Sequence, residues 1–196
     1  MTHGPIATRF EDRFGAHPQL FWAPGRVNLL GDHVDYCGGA VLPMPIQFGT
    51  TVAARLRDDG RVRACSANSR DEIDGSQAEA ARLPIGHWGH FLRGALAVLA
   101  DEGIAIAGAD VMVEGEIPGS GLSSSASLTV ALIQSLSVLA NAPLAPLRLA
   151  LLAQRVEHEY VGVQCGLMDQ AVITLAEPGR ALWFDCLTHR HRSIAL

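Results

Sequence analysis

The run Pro118-Gly119-Ser120-Gly121-Leu122-Ser123-Ser124-Ser125-Ala126 concentrates the residue types that hold a phosphate. Glycine lets the backbone approach a ligand and adopt positive φ, and the first N–H groups of a following helix lack internal partners and carry the positive end of its dipole. Ser123, Ser124 and Ser125 add three successive hydroxyls, one of which can also ligate a hard cation such as magnesium. The same run fits a plain turn with a serine N-cap, and short glycine-rich runs are common enough that both readings stand. A Walker A loop is excluded, because all fifteen Lys+Arg positions are arginine. With no lysine there is also no Schiff base or lysine general base, and a bound phosphate must be neutralised by backbone dipoles, arginine and metal.

A second group lies in segment 25–39, where Arg26, Asp32, His33 and Asp35 follow a short apolar run and are hinged by glycines. Short carboxylates there suit hydrogen bonding to vicinal sugar hydroxyls, and the arginine stays cationic beside them. The plain alternative is a self-contained surface ion-pair loop, with His33 structural. Three further residues have ordinary readings when taken alone. Glu157 is an exposed helix glutamate, Asp169 an N-cap near Met168, and Trp88 a core aromatic.

Residues 20–23 read as a short strand delivering a loop over 26–35. Alternation over 50–57 and 61–64, about Asp58-Asp59-Gly60, predicts a β-hairpin; its arginines read as a solvated sheet face, with an anion site the alternative. Apolar spacing from Trp88 to Leu99 predicts a helix of about four turns stopping at Gly103. Residues 110–117 alternate as a strand that runs into the Pro118 turn, and 125–140 are apolar nearly all round, as in a buried helix. An amphipathic helix over 148–160 is broken by 162–166. A short helix over 168–176 and a strand over 181–185 finish the pattern, whose order is α+β.

With 196 residues, 48% of them hydrophobic, the chain is expected to bury a core as one domain spanning 1–196. A net charge of −5 and a pI near 5.9 disfavour nucleic acid and anionic membrane as partners. Cys37, Cys65, Cys165 and Cys186 form no Cys-x-x-Cys pair and read as free thiols. No apolar run suits a signal peptide or reaches the roughly 18 residues of a membrane span, so a cytoplasmic location is expected.

Three stretches, in order, carry a resemblance. Residues 25–36 resemble the galactokinase signature, residues 118–126 the second signature of GHMP kinases, and Glu157-His158 with 161–170 the galactokinase segment that holds the catalytic aspartate. The chain is therefore similar to the N-terminal half of a galactokinase-type GHMP kinase. The resemblance implies an α+β N-terminal domain of the ribosomal protein S5 domain 2-like kind, a mixed β-sheet packed against helices, with the C-terminal domain missing. It implies transfer of the ATP γ-phosphate to the anomeric hydroxyl of galactose or a related aldose. On the matching positions, Asp169 would accept the hydroxyl proton and Arg26 would hold that carboxylate and the developing alkoxide. Asp32, His33, Asp35 and the Gly166 backbone would bind sugar. Pro118, Gly119, Ser120, Gly121, Leu122, Ser123, Ser124 and Ser125 would bind ATP with Trp88 against adenine, and Ser125 and Glu157 would ligate Mg2+.

Several positions depart from that pattern. Asp32 stands for the usual glutamate, Val34 for threonine, Cys37 for asparagine and Thr129 for glutamate, the last with no assigned role. The sugar therefore stays open between galactose and a larger or differently configured aldose. The family's third glycine-rich motif does not occur, so little or no turnover by the chain alone is expected, and the face left open is expected to meet a missing C-terminal half or to self-associate. The alternative reading is a non-catalytic sugar- and ATP-binding module or regulator. Either reading requires Asp169 to face the arginine loop across a gap one monosaccharide wide, with the serine-capped helix aimed at the same spot.

Overall fold

A computed structural model describes residues 4–76, 83–118 and 121–196. Helix α1 (Gly4–Phe14), which the sequence reading did not anticipate, leads into strand β1 (Gln19–Leu30), and a 3-10 turn (Asp35–Cys37) leads into the long strand β2 (Ala40–Arg57). Then follow β3 (Arg61–Ser66), β4 (Glu72–Ser76), α2 (Gly89–Asp101), β5 (Gly108–Gly115), α3 (Ser124–Leu139) and α4 (Pro146–Val156). A π-helical turn (Glu157–Val161), α5 (Met168–Leu175), β6 (Ala181–Asp185) and β7 (His191–Ile194) complete the chain.

The seven strands form one sheet in the order β4-β3-β5-β2-β6-β7, with β1 paired to β2. The hairpin expected over 50–64 is not there. The turn at Asp58-Asp59-Gly60 exists, but β5 inserts between its two strands, antiparallel to β2 and parallel to β3. Two face patterns explain the insertion. On the inner face Val52, Ala54, Val62, Ala64, Val111 and Val113 are all buried in the core. On the outer face Asp110 lies in register with Arg55 on one side and Arg63 on the other. Its fully buried carboxylate accepts from Arg55 Nε at 2.7 Å, Arg63 Nε at 2.7 Å and Arg57 Nη1 at 3.1 Å. These arginines are thus neither a free anion site nor merely a solvated face.

Helix α3 is the centre of the inner layer. Its Ala126, Val130, Ala131, Leu132, Ile133 and Leu136 are buried, as expected of a helix apolar nearly all round. Its buried Ser127 hydroxyl donates to the Ala23 carbonyl at 2.8 Å and bonds Thr50 Oγ1 at 2.9 Å, which ties the helix to β1 and β2. Thr129, without a role in the sequence reading, is buried and donates back to the Ser125 carbonyl at 2.8 Å. On the outer face Ile6 and Phe10, four apart on α1, pack over Ala53 and Met112. Burying each large side chain contributes about 1.5–3 kcal/mol.

Candidate functional site

Three distant segments meet at Arg26. The residue sits on β1 just past a register shift between Pro24 and Arg26, where the strand turns its side chain toward the start of α5. The expected loop thus begins later, after Leu30. Gly25 makes the approach possible: a Cβ there would lie 2.7 Å from the Leu122 carbonyl oxygen and 2.9 Å from Ile117 Cδ1. The Arg26 amide donates to that same carbonyl at 3.1 Å, so strand and serine-rich loop are joined through backbone.

Arg26 Nε and Nη2 both reach Asp169 Oδ1 at 2.8 Å, and Nη1 donates to the Gly121 carbonyl at 2.7 Å. The other carboxylate oxygen, Oδ2, accepts from the Ser123 hydroxyl. Both oxygens of Asp169 are therefore held, and its side chain still keeps 24% exposure. Arg26 and Asp169 touch, so no gap the width of a sugar lies between them; a sugar has to sit beside the pair. Charge accounts for the contact, because an arginine and a carboxylate gain more from a direct charge-assisted hydrogen bond than from facing each other across solvent.

Ser123 holds φ 60 and ψ 44 and makes no side-chain cap bond to α3. The left-handed conformation costs a non-glycine residue about 1–2 kcal/mol. Ser123→Gly relieves this cost and Ser123→Ala does not, while both lose the hydroxyl. The glycine variant is expected to be the more stable of the two by about 1 kcal/mol in urea denaturation.

Ser124 and Ser125 open α3 and line a cavity of 430 Å³ together with Asn68, Ser69, Gly115 and Trp88. Trp88 is fixed by its indole N–H, which donates to the Asp71 carbonyl at 3.0 Å, and the ring packs partly on the core. Pro118 is exposed and Gly121 has φ 85; Gly119 and Ser120 lie outside the described residues. Ser125 Oγ donates to Glu157 Oε2 at 3.2 Å. Glu157 is 3% exposed, not the exposed helix residue its surroundings in sequence suggest. The predicted helix over 148–160 ends as α at Val156, and the π-helical turn directs Glu157 inward. Burial raises the Glu157 carboxyl above the usual range, against hydrogen bonds from Gln170 and Ser125 that favour the charged form.

A separate cavity of 540 Å³ is lined by Asp35, Tyr36, Cys37, Gly166, Cys186 and His189, among others. Asp35 and Gly166 are in tight contact: a Cβ on Gly166 would lie 2.1 Å from Asp35 Oδ2. Asp32 and His33 do not line this cavity. Both are exposed on the preceding turn, where Asp32 Oδ1 accepts from Asn28 Nδ2 at 2.6 Å and His33 holds φ 62. The segment 162–167 is pinned by its Cys165 carbonyl, which accepts from His158 Nε2 at 2.8 Å and Gln154 Nε2 at 3.2 Å. Cys165 and Cys186 are both pushed up to about 11 by burial, so these thiols stay protonated at neutral pH.

The galactokinase galactose-binding signature matches residues 8–56, and the GHMP kinases N terminal domain matches residues 90–177. The chain belongs to the GHMP kinase family. A galactokinase of Chloroflexus aurantiacus is 42% identical over 189 residues, covering 95% of this chain and 48% of that relative. One from Clostridium perfringens is 40% identical, covering 92% and 48%. The chain thus spans about half the length of the curated relatives it matches. In structure, the Lactococcus lactis galactokinase complexed with galactose superposes with a TM-score of 0.92 at 34% identity, covering 100% of this chain and 52% of that one. The mevalonate kinase of Methanococcus jannaschii, at 21% identity and a TM-score of 0.76, shares the fold.

Two residues near these cavities have roles that the sequence did not disclose. Asn68 clamps the end of β5, donating to the Gly115 carbonyl at 3.0 Å and accepting from the Gly115 amide at 2.7 Å, beside the serine-lined cavity. Nothing in its local sequence marks it, because its partner lies 47 residues away. Gln170 stood in a recognised stretch but had no role until its contact with Glu157 was seen.

Proposed function

We infer that this chain is the substrate-binding half of a galactokinase-type sugar kinase, which transfers the ATP γ-phosphate to the anomeric hydroxyl of galactose or a related aldose. One observation carries the reading: Asp169, braced by Arg26 and Ser123, stands beside the N-terminus of α3. In the proposed step Asp169 takes the proton of the sugar hydroxyl, that oxygen bonds to the γ-phosphorus, and the bond to the β-phosphate oxygen breaks to release ADP. Arg26 holds the carboxylate in place and balances charge on the attacking oxygen. The sugar would lie against Asp35 and Gly166, with Asp32 and His33 on its rim. The phosphates would lie on Ser124, Ser125 and the N–H groups of α3, and adenine toward Trp88.

Magnesium fits the donors present. Ser125 Oγ and Glu157 Oε2 are hard oxygen ligands 3.2 Å apart, and Mg2+ is usually held by one or two carboxylates plus substrate phosphates. Among the described residues no group of three or more His, Cys, Asp or Glu forms a metal cage, so ATP would supply the remaining ligands. When bound, the ion would neutralise phosphate charge.

Titration calorimetry with galactose, and separately with ATP and magnesium, tests the reading. Saturable binding of both is expected, and failure of the folded chain to bind either one overturns it. The second reading is a sugar- and ATP-binding module without turnover. A coupled ADP assay over a sugar panel separates the two. Sugar-dependent release of ADP supports the kinase reading, and saturable binding without it supports the module.

A further inference from the structure

Gln170 follows Asp169 in the first turn of α5 and is wholly buried. Its Nε2 donates to Glu157 Oε1 at 3.0 Å and lies 3.5 Å from Cys165 Sγ. Its own carbonyl, Oε1, has no hydrogen-bond partner among the described residues. A leucine or methionine would fill such a site without leaving a buried acceptor unsatisfied. The amide is therefore doing something that packing alone does not require.

The geometry around Glu157 says what. The two carboxylate oxygens face different partners: Oε1 accepts from Gln170 in the interior, and Oε2 from Ser125 at the start of α3. An amide N–H can only donate, so it fixes the carboxylate by one oxygen and leaves the other to Ser125, which lines the serine-rich cavity. We propose that Gln170 is a positioning residue for Glu157, setting the oxygen that Glu157 presents to a magnesium–nucleotide ligand. The inference rests on the assignment of Ser125 and Glu157 as the magnesium pair.

Calorimetry with ATP in excess magnesium, ATP in EDTA, and galactose tests it on the whole chain. Gln170→Met keeps the volume and removes the donor. It is expected to weaken ATP binding about tenfold in magnesium while leaving metal-free ATP and galactose affinities within about twofold, since the lost hydrogen bond acts on the metal ligand alone. A merely structural role would shift all three together or only the melting temperature. Should Gln170→Met fail to fold, Gln170→Asn, whose amide is withdrawn by one methylene, is expected to show the same selective loss. Unchanged magnesium-dependent binding in a folded variant overturns the proposal. Glu157→Gln is the separate control: if it too leaves that binding unchanged, the magnesium pair itself is misassigned, and if it alone weakens binding, only the role of Gln170 falls.

Discussion

Asp110→Asn is expected to destabilise the chain by about 3 kcal/mol in urea denaturation, a large share of the roughly 5–15 kcal/mol that holds a domain together. The Asp110 carboxylate is wholly buried and is the shared partner of Arg55, Arg57 and Arg63. The asparagine preserves the shape and removes the charge, leaving three guanidinium groups facing one another. Their side chains keep 34%, 16% and 28% exposure, so water screens part of the repulsion and the cost falls at the low end of the range of about 3–5 kcal/mol for breaking a buried pair. The pH dependence has a definite sign. Burial disfavours the charged form of Asp110, yet hydrogen bonds from Arg63, Arg55 and Arg57 outweigh it and hold the carboxyl below its ordinary value of 3.8. A carboxyl with a depressed folded pKa contributes stability that is fully present above that ordinary value and is lost as pH falls through the lower one. The parent chain should therefore lose its advantage over Asp110→Asn below about pH 4, and an advantage that persists unchanged into strong acid would refute the account.

Gly166→Ala is expected to lower galactose affinity at least a hundredfold, about 2.7 kcal/mol. The added methyl would lie 2.1 Å from Asp35 Oδ2, far inside contact distance, so either the Asp35 carboxylate leaves its place or the segment 162–167 moves. That segment is tied down by His158 and Gln154 at the Cys165 carbonyl, so displacement falls mainly on Asp35. Overpacking of this kind costs about 1–3 kcal/mol, and a lower melting temperature should accompany the loss. Gly166→Ala combined with Asp35→Ala should recover the melting temperature but not sugar binding. ATP affinity serves as the internal control, because the serine-lined cavity shares no residue with the one at Gly166. Unimpaired galactose binding by the single variant would remove Asp35 and Gly166 from the sugar site.

Elements whose signal is local were legible in the sequence. The periodicity of α2 and α3 and the strand at Ala181–Asp185 come from neighbouring residues, and all three are found close to where they were expected. Pairings across the chain were not. The hairpin inference failed because alternation over 50–64 says which face is apolar but not which strand lies next; the partner that decides it, Asp110, is about fifty residues away. Glu157 looked exposed because helical spacing assumes 3.6 residues per turn, and the π-helical turn breaks that assumption at the residue that matters. Asp169 and Arg26 were both picked out, and the resemblance implied that Arg26 holds the carboxylate; neither segment alone discloses that contact, which spans 143 positions. Helix α1 was overlooked because its apolar face is a short stripe, Ile6, Phe10 and Phe14, set among charged residues.

The insertion of β5 between β2 and β3 also bears on how the molecule is made. During synthesis residues 40–66 leave the ribosome before residues 108–115 exist, so two strand edges stand open, and open edges invite pairing with the wrong neighbour. Arg55, Arg57 and Arg63 sit on those edges with like charge, which discourages β2 and β3 from zipping together prematurely and repels foreign strands. When Asp110 arrives, the same three charges that kept the edges apart become the clasp that closes them.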